Sequence, residues 1–222
     1  MIALIIAMEK EYLNIKENLK TNDKLVSNFP YKHFETTING KKVDVFISGV
    51  GKINAAACTQ FVCDKFLPHQ IINAGVCGAT ENAYIKNPVA IATKVVNNDF
   101  DTSIVDGDSF VVPSICFDGE MEYPVFTQDH FVGKTSQDGY YEMEAYAVSE
   151  IAKRFGISLL VVKSVTDIIG KNQSKDYNCN MQTACQSLAK KLQHIFLNNF
   201  SLSFSISVLI FLGSIFSGRD II

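Results

Sequence analysis

Leu159-Leu160-Val161-Val162-Lys163-Ser164-Val165-Thr166, closed by Asp167, is the stretch on which the fold turns. An apolar run of this length, bounded by a charge, reads as a buried strand rather than a helix. Two further stretches share the pattern. Ile2-Ala3-Leu4-Ile5-Ile6-Ala7-Met8 leads to Glu11, and Ile71-Ile72 opens a strand that ends at Asn73-Ala74-Gly75-Val76-Cys77-Gly78. A third acid, Glu144, stands in Tyr141-Glu142-Met143-Glu144-Ala145, just ahead of a helical pattern. In open α/β sheets ligands bind beyond the carboxyl ends of the strands, so acids placed there are candidates for chemistry. A single acid at such a point is more often a helix cap or a solvated charge. Three of them weigh more.

Between these strands the apolar spacing turns helical. Glu9 to Ile15, Ala55 to Phe66, Glu144 to Phe155 and Asn180 to Phe196 all read as helix. Asn39-Gly40 between Phe34–Thr37 and Val43–Ile47 signals a tight hairpin. Pro88 to Val96 reads as one further strand, and residues 97–139 as loops and short strands. Strands alternating with helices predict an α/β fold built on a mostly parallel sheet covered on both faces. One domain is expected over residues 1–197. Residues 198–222 form a separate tail, nearly all apolar or Ser from Phe200 to Phe216. That stretch sits at the lower limit of about 17–20 apolar residues for crossing a bilayer. It reads as a membrane-facing or partner-facing appendage without chemistry, so weak membrane association through it stays open.

Composition narrows the function. The net charge of −3 has mixed signs and no basic block, which argues against nucleic acid as partner. The six cysteines form no CxxC pair, so buried thiols in a reducing cytoplasm are expected, with no disulfide scaffold and no metal site. The first apolar run lacks a basic flank and is too short for a secretory signal. Two glycine-bearing turns follow buried strands. Gly49-Val50-Gly51-Lys52-Ile53-Asn54 lacks the third glycine of a dinucleotide fingerprint and the spacing of a P-loop. Its backbone amides at a helix start can hold a water, a hydroxyl or an anion. Gly75-Val76-Cys77-Gly78 lets a flat ligand approach the backbone.

Ala7-Met8-Glu9-Lys10-Glu11, the Ser48 to Ala56 turn, Asn73-Ala74-Gly75, Glu142-Met143-Glu144-Ala145 and Ser164-Val165-Thr166-Asp167 stand in one order along the chain. Together they resemble the methylthioadenosine/S-adenosylhomocysteine nucleosidases, within the wider purine nucleoside phosphorylase family. The resemblance runs from Met1 to about Leu192. It implies a three-layer α/β/α sandwich with a central mixed sheet, a homodimer, a purine nucleoside as small-molecule partner and no cofactor.

The resemblance also implies roles. Asp167 is the acid that protonates or hydrogen-bonds the purine N7, and Glu11 is the base that activates water. Glu144 accepts hydrogen bonds from the ribose hydroxyls, Met143 packs on the ribose, and Val50 and Gly78 border the substrate. Glu9 and Glu142 read as solvated neighbours. For the aromatic that stacks on the base, Thr127-Gln128-Asp129-His130-Phe131-Val132 gives Phe131 and Val132, and Asp106-Gly107-Asp108-Ser109-Phe110-Val111 gives Phe110. The first is preferred because it directly precedes Glu142-Met143-Glu144; His130 then reads as exposed. Two departures concern the substrate: Val76 and Cys77 stand where the family carries Ser and Ala, and the middle of the chain is compressed. Phosphorolysis is the closest rival, but a phosphate clamp is built from arginines, and the chain has only Arg154 and Arg219. A nucleoside-binding protein without turnover is the other rival, and it would have no use for Glu11.

Overall fold

The computed structural model describes residues 1–100, 114–116, 122–171 and 173–197. Phe110 and the 198–222 tail lie outside these residues. One sheet of eleven strands runs through the described molecule. Along the chain come β1 (Ile2–Ile6), α1 (Glu9–Leu19), β2 (Lys24–Ser27), β3 (Lys32–Ile38) and β4 (Lys41–Ile47). Then follow α2 (Lys52–Phe66), β5 (Gln70–Ala79), α3 (Glu81–Lys86), β6 (Val89–Ile91), β7 (Lys94–Asn97) and β8 (Ser114–Cys116). The rest is β9 (Val125–Thr127), β10 (Tyr140–Glu142), α4 (Ala145–Arg154), β11 (Ser158–Ile168) and α5 (Gln173–Leu197).

At the centre β4, β1, β5 and β11 run parallel. Antiparallel pairing joins β2 to β3, β3 to β4 and β7 to β8 on the flanks, and also β10 to β5 and β6 to β11. Strand β5 is the axis. One of its edges is covered by β11 along its length, while the other carries β1 up to Asn73 and β10 from Gly78. Val76 lies in the interval between, and that interval belongs to the site.

Period-two alternation divides the strand side chains between two cores. Ile2, Leu4 and Ile6 face α1 and α5, meeting Tyr12, Ile15, Leu188 and Leu192. Ala3, Ile5, Leu159 and Val161 face α2 and α4, meeting Cys58, Val62, Val148 and Ile151. Helices therefore lie on both faces of a mixed sheet, the three-layer arrangement expected. The Asn39-Gly40 turn has φ of 48° and 79°, the left-handed pair a two-residue hairpin needs.

Three boundaries differ from the sequence reading. The single strand expected over Pro88 to Val96 is two: β6 pairs with β11, and β7 pairs with β9 on the other side of the sheet. Ala92 N–H closes the first of these ladders on the Val161 carbonyl at 2.9 Å. α5 begins at Gln173, two turns ahead of Asn180, because its first turns carry polar residues that cover the site rather than the apolar stripe. α2 begins at Lys52, directly after the glycine turn.

Candidate active site

Where the parallel strands end, a cavity of about 410 Å³ opens. Ala7 and Met8 after β1, Val50 after β4, Val76 to Gly78 on β5, Met143 and Glu144 after β10, and Asp167 on β11 line it. Phe131 stands at its lip, 58% exposed. Val132 borders an adjoining cavity of about 40 Å³, shared with Gly78, Phe131 and Asp167. The residues expected from sequence thus converge from six chain segments on one place.

Glu11 and Glu144 are held by backbone amides, Asp167 by side chains. Glu11 is buried in the first turn of α1, and its Oε2 accepts Met8 N–H at 2.9 Å, so it caps its own helix. Its Oε1 accepts Val76 N–H at 2.8 Å, in the interval of β5 between β1 and β10. Burial raises the Glu11 pKa against the pull of the Val76 amide and of Lys163. Gly75 leaves room beside it: a Cβ there would stand 3.0 Å from Glu11 Oε1.

Glu144 precedes α4, and its Oε1 accepts Gly51 N–H at 2.9 Å. The glycine turn therefore holds a carboxylate through its amide, the anion-binding use its sequence allowed. Burial pushes the Glu144 pKa up to about 7, with Glu142 and Glu11 adding to the rise and Lys163 and the Gly51 amide opposing it. Asp167 sits where β11 slips register against β5, between Val165 and Asp167. Such an irregularity re-aims a side chain. Its Oδ1 accepts Thr166 Oγ1–H at 2.7 Å and its Oδ2 accepts Gln173 Nε2–H at 3.1 Å. Gly78 is the near wall, where a Cβ would lie 3.0 Å from Asp167 Oδ2.

Glu142 corrects the sequence reading. It is not a solvated neighbour but is 6% exposed and fully engaged. It accepts Glu144 N–H at 3.0 Å and Ala145 N–H at 2.8 Å, satisfying first-turn amides of α4, and takes a hydrogen bond from the Thr127 hydroxyl. Its Oε2 also lies 2.8 Å from Lys163 Nζ. Glu9, by contrast, is half-buried and paired with Lys32.

Lys163 is the functional-site residue that sequence reasoning passed over. It lies 1% exposed on β11, 2.8 Å from Glu142 and 3.8 Å from Glu144. Burial alone would favour the neutral amine, but Glu142 and Glu144 outweigh it and raise the Lys163 pKa. A lysine inside an otherwise apolar strand was the available signal, because a buried ammonium requires paired carboxylates. Tyr177, whose hydroxyl reaches Met8 Sδ at 3.8 Å, and Gln173 were likewise missed. Both lie ahead of the apolar stripe by which the helix was located.

At the rim, Lys52 is occupied. Its Nζ pairs with Asp99 and hydrogen-bonds Asn97 Oδ1 at 3.0 Å, while its N–H donates to Asp129 Oδ1 at 2.9 Å. Asp99 also accepts Asp129 N–H at 2.8 Å, so Asp99 ties the glycine turn to the loop that carries Phe131. His130 is exposed, as expected, and contacts Gln128. Among the described residues no cluster of His, Cys, Asp and Glu is arranged to hold a metal ion.

The chain is similar to several known proteins. The family model described as Phosphorylase superfamily matches residues 1–130. A 5'-methylthioadenosine/S-adenosylhomocysteine nucleosidase of Bacillus licheniformis is 26% identical over 217 residues, covering 83% of this chain and 93% of its own. That of Bacillus pumilus is 26% identical, covering 82% and 92%. Among solved structures, the nucleosidase of Neisseria meningitidis in complex with methylthio-immucillin-A superposes with a TM-score of 0.74 at 22% identity, covering 89% of this chain and 98% of that one. Futalosine hydrolase of Helicobacter pylori superposes with a TM-score of 0.75 at 19% identity, covering 89% and 97%.

Proposed function

The chain belongs to the phosphorylase superfamily, and from that premise we infer that it hydrolyses the N-glycosidic bond of a purine nucleoside of the methylthioadenosine/S-adenosylhomocysteine type. The observation that carries this reading is the meeting of three buried carboxylates, Glu11, Glu144 and Asp167, on one cavity. Two carboxylates on opposite sides of a glycosidic bond are the recurring solution for its hydrolysis. Asp167 delivers a proton or hydrogen bond to N7 of the purine, which leaves with the electrons of the C1′–N9 bond. Glu11 takes a proton from the water whose oxygen bonds to C1′. The products are free base and a ribose derivative, with no cofactor.

Glu144 serves the sugar. Its carboxylate accepts hydrogen bonds from the ribose hydroxyls, and its charge favours an oxocarbenium-like transition state over the neutral substrate. Lys163 keeps this acidic cluster foldable without cancelling it, since its closest carboxylate is Glu142, not Glu11 or Glu144. Met143 and Val50 border the ribose, and Phe131, Val132 and Gly78 border the base.

Water rather than phosphate is the nucleophile in this reading. Arg154, the one arginine among the described residues, lies on α4 paired with Glu150, and Lys52 and Lys163 are already engaged by carboxylates. A phosphate would also meet Glu11. Incubating purified protein with methylthioadenosine, S-adenosylhomocysteine, adenosine, inosine and futalosine, with and without phosphate, tests the reading. Phosphate-independent release of free base is expected. Release only with phosphate moves the assignment to a phosphorylase, and no release with retained nucleoside binding makes the protein a binder.

The same reading gives a cytoplasmic homodimer. Val50, Ile53, Phe100 and Phe131 are exposed near the cavity mouth and on the adjoining turn, where a second subunit would cover them. Light scattering on the purified protein is expected to give twice the chain mass. No helix among the described residues is long and apolar enough to cross a membrane. Residues 1–197 form the catalytic domain in this view, and residues 198–222 are an appendage to it, the part through which weak membrane association would act.

A further inference from the structure

Gln173 opens α5 and is buried against the site. Its Nε2 donates to the Val132 carbonyl oxygen at 2.8 Å and to Asp167 Oδ2 at 3.1 Å. Its Oε1 accepts Gly170 N–H at 3.4 Å. Two acceptors on one side and a donor on the other orient the amide with its –NH2 toward the site.

This is the corner that an edge of the base must reach if Asp167 serves N7 and the Phe131-Val132 segment borders the ring, the ring itself lying in the larger cavity that Gly78, Phe131 and Asp167 also line. Beside Val132 and Gln173 the corner itself has about 40 Å³. At roughly 10–15 Å³ for one water, it holds a few waters and not a fused ring. The Gln173 amide already holds the two acceptors at this corner.

We propose that Gln173 is an occluding side chain of the base subsite, whose –NH2 holds the acceptors Asp167 Oδ2 and Val132 O until an entering base takes them over. The inference rests on the nucleosidase reading for the placement of the base. A purine with an exocyclic –NH2 beside N7 brings two N–H groups to the same two acceptors, so it replaces the amide bond for bond. Each such base binds in competition with an intramolecular ligand, and apparent affinity is reduced by the fraction of molecules in which Gln173 is seated. Gln173 also differs from a supporting residue in the direction of its effect. Loss of a support weakens binding, whereas loss of a competitor strengthens it.

The test is calorimetric titration of adenine into the full-length wild type, Q173A and Q173M, alongside base release from methylthioadenosine. Methionine keeps the bulk of glutamine without its hydrogen bonds, and thermal unfolding without ligand reports whether each variant is folded. Both variants are expected to bind adenine about tenfold more tightly, the size of one or two net hydrogen bonds, with a lower KM for the nucleoside. Unchanged or weaker binding in both variants, with catalytic release by the wild type intact, removes the occlusion and leaves the nucleosidase reading standing. Tightening in Q173A alone overturns the hydrogen-bond account. Failure of all three proteins to bind adenine or release base overturns the base subsite and the occlusion with it.

Discussion

Glu11 and Asp167 each fit one step of the proposed reaction, and an amide side chain keeps the size of each carboxylate and one of its two accepted hydrogen bonds. Glu11→Gln and Asp167→Asn are therefore expected to lose about 10²- to 10⁴-fold in kcat, the usual range for a positioned acid or base, with unchanged far-UV circular dichroism. Near-wild-type turnover in either variant would refute the role given to it. Titration gives a second check. Glu11 and Glu144 must be ionised for their roles, burial raises both, and Glu144 titrates at about 7 rather than its ordinary 4.5. The acid limb of kcat/KM is accordingly expected near pH 7, as a property of the coupled cluster rather than of one residue. Stability runs the other way. Glu144 takes up its proton more readily folded than unfolded, so its contribution is fully present below pH 4.5 and is lost as pH rises through about 7. Glu144→Gln should unfold at higher urea than wild type at pH 8, with the difference closing toward pH 4.5, while its activity falls. Lys163→Met should cost about 3–5 kcal/mol in the same assay, because it leaves Glu142 buried without its cation. The three candidate acids were legible in the sequence because each stands at or just past the end of a strand. Lys163 and Glu142 were not: a lysine inside apolar β11 was a signal, but its partner, the glutamate that closes β10, is identified only by the fold.

At the scale of elements, strand β5 carries two glycines for reasons of space rather than of backbone angle. Gly75 faces Glu11, whose carboxylate is pinned by two amides, and Gly78 faces Asp167. Gly75→Ala should displace the Glu11 carboxylate by a few tenths of an ångström and lower kcat roughly tenfold, given that misplacement by about 1 Å costs on the order of 10²-fold. Its melting temperature should fall less than that of Gly139→Ala. A Cβ on Gly139 would stand 2.6 Å from the Phe126 ring and 2.7 Å from the Pro124 carbonyl oxygen, an overpacking worth about 1–3 kcal/mol. The alternation of strands and helices was readable because both faces of β1, β5 and β11 are covered, leaving long apolar runs. The split of residues 88–97 into β6 and β7 was not. Both pieces are apolar, and nothing in their composition says that they join different strands on opposite sides of β11 and β5.

Over the whole molecule, the two helical layers divide the work. α2 and α4 start beside the cavity and present their first amides to carboxylates: Gly51 N–H, just ahead of α2, to Glu144, and Ala145 N–H to Glu142. α1 and α5 cover the other face, and α5 brings Gln173 and Tyr177 to the site before its apolar stripe closes the core at Leu188 and Leu192. A chain ending at Leu197 should therefore keep its cooperative melting transition and base release, whereas one ending at Ile168 should fail to fold. Turnover lost on removing residues 198–222, with melting unchanged, would contradict the assignment of that segment as an appendage.

The double coverage of β5 has a consequence for exchange with solvent. Its amides are claimed by β11 on one edge and by β1 and β10 on the other, with Val76 donating to Glu11 between them. No small opening uncovers such a strand, so its protons should exchange with deuterium only when the whole domain opens. Val76 is the exception to watch. Its proton is guarded by a side chain and not by a strand, so it should exchange faster in Glu11→Ala while its neighbours on β5 keep their rates.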